Sequence, residues 1–193
     1  MTPNKIIQPT DIQIEFIKKI ISDSLKQLIE YDSDIFNMDL EIDMAHEVSE
    51  NAKRLNRKLH EICISHRLAH YLENELVDTD YKDYCVDIEY NRFYDNLKIL
   101  NTVKGQLTVR PDIIIHSRVD DTFDPQHLLV IEAKKKAISN HDINKIKGFI
   151  SDDNYNYIFG LTVSYCSDET QIIANLYYFN GIEIVNENIN EDK

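Results

Sequence analysis

Two apolar runs that carry ionisable residues constrain this chain more than anything else in it. The first is Pro111-Asp112-Ile113-Ile114-Ile115-His116, and the second is Leu128-Leu129-Val130-Ile131-Glu132-Ala133-Lys134. Both are rich in branched aliphatic residues and read as β-strands, joined by a polar connection of hairpin type. Strand side chains alternate between faces, so Asp112, Ile114 and His116 share one face of the first strand. In the second, Val130, Glu132 and Lys134 share a face, with Leu129, Ile131 and Ala133 opposite. Ionised groups in strands this apolar lose several kcal/mol of hydration unless something pairs with them. A divalent cation is the obvious pairing agent. The plainer alternative is an ion-paired hairpin, with Lys134 and Arg110 answering Asp112 and Glu132.

The remaining pattern predicts a single domain; 193 residues suffice for a sizeable core. Within it we expect an N-terminal helical extension over 1–43, a core over 44–180 and an acidic tail over 181–193. Ile14, Ile17, Ile21, Leu25 and Leu28 recur at helical spacing, which predicts an amphipathic helix over 11–31 capped by Thr10 or Asp11. An acidic connector over 32–43 leads into a longer helix from about Met44 to Leu76. On it Glu61, Ile64, Ser65, Leu68 and Leu72 fall in one narrow stripe, and Glu47 and Glu50 lie close to the same stripe. Strands are expected over 84–91, 107–116 and 127–134, with 96–105 as a connection. A helix through Ile150 capped by Ser139 or Asn140 follows, then strands over 155–165 and 171–179, and a loose end from Asn186. Asp87 and Glu89 share the polar face of the first strand and are expected to be solvated; the alternative is that the stretch Glu89-Tyr90-Asn91-Arg92 reaches a substrate at the strand end.

Composition excludes several classes. No stretch approaches the roughly 20 apolar residues of a membrane span, and Met1 to Asp11 lacks the basic and apolar regions of a signal peptide, so no membrane association and a cytoplasmic location are expected. Cys63, Cys85 and Cys166 are widely spaced and read as small buried residues, not as a zinc site or a disulfide framework. His60, His66 and His70 lack the spacing of a metalloprotease helix. A net charge of −13 opposes sequence-independent adhesion to nucleic acid. Two basic stretches soften that objection: Lys53, Arg54, Arg57, Lys58 and Arg67, and Lys134, Lys135, Lys136, Lys145 and Lys147.

Pro111-Asp112 followed by Glu132-Ala133-Lys134, each motif set on an apolar strand and in this order, resembles the PD-(D/E)XK nuclease superfamily. The resemblance covers about Met44 to Tyr165. It implies a mixed α/β restriction-endonuclease-like fold, an α-β-β-β-α-β core, here with an added N-terminal helix and a C-terminal strand. It further implies a metal-dependent endonuclease, acting most of all on DNA. Asp112, Glu132 and the carbonyl oxygen of Ala133 would hold Mg²⁺ or Mn²⁺, and Lys134 would orient water or stabilise developing charge. A helix carboxylate would complete the set, for which Glu61 is the candidate beside Glu50 and Glu47. The plainer reading of Glu61 is an ion pair with Lys58 or Arg57. A homodimer or a protein partner is expected where both strands are cut. The alternative is a catalytically inactive member of the same fold, serving as a binding or assembly subunit.

Overall fold

Residues 113–116 and 127–134 form neighbouring antiparallel strands at the centre of a sheet covered by helices on both faces. The computed structural model describes residues 6–36, 61–93, 96–102, 105–118, 125–168 and 171–189. In chain order its elements are α1 (Asp11–Phe36), α2 (Glu61–Leu76), β1 (Cys85–Ile88), β2 (Arg92–Phe93), β3 (Asn96–Leu97), β4 (Ile99–Thr102) and β5 (Gly105–Thr108). Then come β6 (Ile113–His116), β7 (His127–Lys134), α3 (Asn140–Ser151), β8 (Phe159–Asp168), β9 (Gln171–Phe179) and β10 (Ile184–Asn188). The fold is mixed α/β, with three helices among the described residues and a six-stranded sheet in the order β1-β6-β7-β8-β9-β10. Only β7 and β8 run parallel, as the crossover through α3 requires.

Alternation sorts the core into two layers. Ile113, Ile115, Leu129, Ile131 and Ala133 face α1 and α2, which contribute Ile17, Ile21, Leu28, Ile64, Leu68 and Leu72. Ile114 and Val130 face the other way, against Ile146, Phe149 and Ile150 of α3. Burial on both faces explains why these central strands read as nearly continuous apolar runs. Thr10 begins α1 through a reciprocal cap: its Oγ1 accepts from Gln13 N at 3.2 Å and Gln13 Oε1 accepts from Thr10 N at 2.9 Å. Ser139 and Asp142 make the same box at the start of α3. No helix among the described residues is long and apolar enough to cross a membrane.

Four expectations are corrected. The span 96–105 is not a plain connection, because β2 pairs with β3 and β4 with β5 in separate two-stranded ribbons. The expected strand over 107–116 is therefore divided: Leu107 belongs to a ribbon, and β6 begins only after Pro111, which lacks a backbone donor. The chain is not loose at Asn186, since β10 pairs with β9 along Ile184–Asn188; residues 190–193 lie outside those described. Helix α1 continues past residue 31 across a non-helical Asp32 (φ −130°, ψ 24°), whose carboxylate accepts from Arg67 Nε at 2.8 Å. Of the longer helix expected from Met44, residues 44–60 lie outside those described, and so do Glu47, Glu50, Lys53, Arg54, Arg57, Lys58 and His60.

Candidate active site

Asp112 stands one step before β6. Its N–H donates to Ile131 O at 3.2 Å, which extends the ladder beyond the Ile113–Ile131 pair and brings Asp112 opposite Glu132. Cross-strand partners share a face, so the two motif acids point to the same side of the sheet. Asp112 Oδ2 accepts the Ala133 N–H at 2.7 Å, fixing the carboxylate against the second motif.

Lys134 ends β7 and turns back over the same point. Its Nζ donates to Ala133 O at 3.0 Å and to Glu61 Oε1 at 3.1 Å, and lies 3.5 Å from Asp112 Oδ2. Partial burial disfavours its charge, but Asp112 and Glu61 outweigh that and hold the ammonium above its usual range. Glu61 Oε2 accepts the Lys135 N–H at 2.7 Å, so the first turn of α2 is tied to the end of β7. Glu61 is thus brought to the motif residues, as a partner of Lys134 and of the Lys135 backbone.

Glu132 is 1 % exposed. Its Oε2 accepts from Lys145 Nζ at 2.6 Å, while Oε1 is buried without a hydrogen-bond partner. Burial pushes its pKa up to about 7; Lys145 opposes the shift and the Asp112 charge adds to it. Sequence reasoning placed Lys145 in a basic flank and missed its contact with Glu132. Close approach of α3 makes that contact reachable: a Cβ on Gly160 of β8 would stand 2.3 Å from Ile146 Cγ2. Only glycine lets the helix lie so near the sheet.

A cleft of about 400 Å³ opens beside Asp112, lined by Glu61, Ile62, Ser65, Glu89, Arg110 and Asp112. Glu89 is not simply solvated. It adopts a left-handed backbone (φ 52°), donates its N–H to Asp112 O at 3.0 Å and pairs with Arg110 Nε at 2.5 Å. Behind the cleft, Ser65 Oγ lies 3.2 Å from the OH of buried Tyr165. Burial raises the Tyr165 pKa, and the charges of Asp112 and Glu61 add to the rise.

Asp87 departs further from the expected solvated face. It lies at the other end of the β6–β7 pair, accepting from His116 Nε2 at 2.9 Å and from Arg118 at 2.7 and 2.9 Å. The cysteines also differ from expectation, with Cys63 exposed and Cys85 partly buried.

Among the described residues, no three His, Cys, Asp or Glu side chains converge closely enough to hold a metal by themselves. Mg²⁺ needs fewer, since it keeps several waters and is commonly bound through one or two carboxylates. No family model, curated protein or solved structure matches this chain.

Proposed function

We propose that the chain is a metal-dependent nuclease that hydrolyses DNA phosphodiester bonds in the cytoplasm. The observation that carries this reading is the meeting of Asp112, Glu132 and Lys134 at one strand end, with Asp112 lining an open cleft. The run α2-β1-β6-β7-α3-β8 supports it, following the α-β-β-β-α-β order once the small ribbons are set aside. The donor set fits Mg²⁺ or Mn²⁺: the carboxylates of Asp112 and Glu132 and the Ala133 carbonyl are hard oxygens, and Glu132 Oε1 is buried without a partner. When bound, such a cation supplies a water nucleophile near neutral pH and polarises the phosphate.

The chain's own groups have separate tasks in this reading. The Ala133 N–H orients the Asp112 carboxylate, and Lys145 fixes that of Glu132 through Oε2. Glu61 holds Lys134 at the cleft, where its ammonium stabilises negative charge growing on the phosphate oxygens. A second reading, a non-catalytic binding or assembly subunit, is favoured by the net charge of −13 and by the chain's own lysines already pairing with Glu61, Asp112 and Glu132.

Cleavage of supercoiled, linear and single-stranded DNA, and of RNA, with Mg²⁺ or Mn²⁺ separates the two. The nuclease reading predicts metal-dependent cutting by the wild type that Asp112→Ala and Lys134→Ala abolish. Cutting that survives both substitutions would sink the site, and no cutting of any substrate favours the binding subunit.

A further inference from the structure

The nuclease reading leaves one feature of the cleft unused. Among the described residues Arg110 is the only cation in its lining, and its side chain is 61 % exposed. The Nε faces Glu89, while a guanidinium carries five N–H donors in a fork suited to phosphate. Its placement is stiff. Glu89, which holds it, spends a left-handed backbone conformation to do so and hydrogen-bonds through its N–H to the carbonyl of Asp112. Both arms are braced from below by one residue: Lys98 N–H donates to Asn91 O at 2.8 Å, and Lys98 O accepts from Val109 N–H at 2.9 Å. The Lys98 side chain is itself locked, 1 % exposed, with Nζ donating to Tyr157 OH at 3.0 Å and lying over the rings of Tyr90, Tyr155 and Tyr157.

We propose that Arg110 and the cleft form a subsite for a second backbone phosphate of the DNA strand, next to the phosphate being cut. The inference rests on the nuclease reading. Lys134 and the motif acids serve the reacting group, whereas Arg110 pairs with Glu89 and stands two residues from Asp112 on the same strand approach. Ile62, half exposed in the lining, offers an apolar surface to the sugar between the two phosphates. Among the described residues the lining has three acids against Arg110, a balance that does not attract an anion by itself. With Lys134 and a bound divalent cation beside it, positive charge predominates. Engagement of the subsite therefore depends on the cation.

The test compares wild type, Arg110→Ala and Arg110→Lys in DNA cleavage with Mn²⁺, and in binding of a short fluorescein-labelled DNA duplex over a range of salt with and without Mn²⁺. Urea midpoints check that each variant is folded. The subsite predicts that Arg110→Ala raises KM about tenfold while kcat changes much less. It also predicts a slope of log affinity against log salt that falls by about one. Arg110→Lys recovers part of the affinity, because it keeps the charge without the fork. An unchanged KM and salt slope in Arg110→Ala overturns the subsite. A loss confined to kcat overturns it too, because it would place Arg110 on the reacting phosphate. If the wild type neither cuts nor binds DNA, the nuclease reading fails and the subsite with it; cutting by a wild type indifferent to Arg110 removes the subsite alone.

Discussion

The β6–β7 pair buries titratable groups at both ends, and the two ends treat them differently. At one end Asp112, Glu132, Lys134 and Lys145 gather, Asp112 lines an open cleft, and Glu132 keeps one buried oxygen without a partner. At the other end His116 meets Asp87, which Arg118 also holds, and His127 stacks with His116 and packs at a tilt against Tyr157. Lys98 closes that cluster with its ammonium among tyrosine rings. Burial pushes its pKa down to about 8. Both ends bury charge-bearing groups at a desolvation penalty, and at the acid end a carboxylate oxygen, Glu132 Oε1, stays unmet while its cross-strand neighbour Asp112 lines a cleft. Buried charge alone does not mark a site. An unmet carboxylate oxygen whose neighbour lines a cleft is the sharper sign.

The largest expected contrast is in turnover. On the nuclease reading, Lys134→Ala should lower DNA cleavage by about a thousandfold, because it removes the ammonium proposed to meet the developing charge. Asp87→Asn at the closed end should leave turnover within about twofold while reducing unfolding free energy by about 2 kcal/mol, through the charged hydrogen bonds it weakens. A closed-end substitution that stops cleavage would break the comparison.

Lys145→Ala should come next, destabilising the fold by about 3 kcal/mol in urea titration, because it strands Glu132 in the core. Replacing both partners, Lys145→Met with Glu132→Leu, should recover most of that loss. Failure to recover would mean that the pair does more than balance charge.

The two ends should also respond to pH with opposite sign. Folding raises Glu132 from 4.5 to about 7, so it favours the protonated form; the stability it contributes is complete below pH 4.5 and is lost as pH rises through about 7. Folding lowers His127 from 6.5 to about 3, chiefly by burial, so it favours neutral imidazole; that stability is complete above pH 6.5 and is lost as pH falls through about 3. Each limb is on the order of 3–5 kcal/mol. In urea midpoints measured across pH, Glu132→Gln should flatten the neutral limb and His127→Phe the acidic one. If neither limb changes, burial is not what sets these groups.

Much of the acid end was legible in the sequence. Period-two alternation put Glu132 and Lys134 on one face of their strand and left Asp112, on its own strand, able to converge on them; the ladder register sets Asp112 opposite Glu132. Helical spacing put Glu61 at the head of an apolar stripe, and its carboxylate does reach β7. Lys145 was hidden because its contact depends on how closely α3 approaches the sheet, a distance set by Gly160 far along the chain. The closed end was illegible for a related reason. Lys98, Tyr155 and Tyr157 come together only when a ribbon folds back over the sheet, and neither periodicity nor spacing encodes that return. Asp87 looked like part of a solvated face because its partners, His116 and Arg118, lie on the next strand and just past it.

The central claim is that the acid end is a cation site. Titration calorimetry of Mn²⁺ into the protein without nucleic acid tests it directly, on wild type, Asp112→Asn and Glu132→Gln. The account predicts binding by the wild type, displaced by Mg²⁺, that either substitution weakens by about tenfold or more. Equal affinity in all three proteins, or no binding by the wild type, would contradict it.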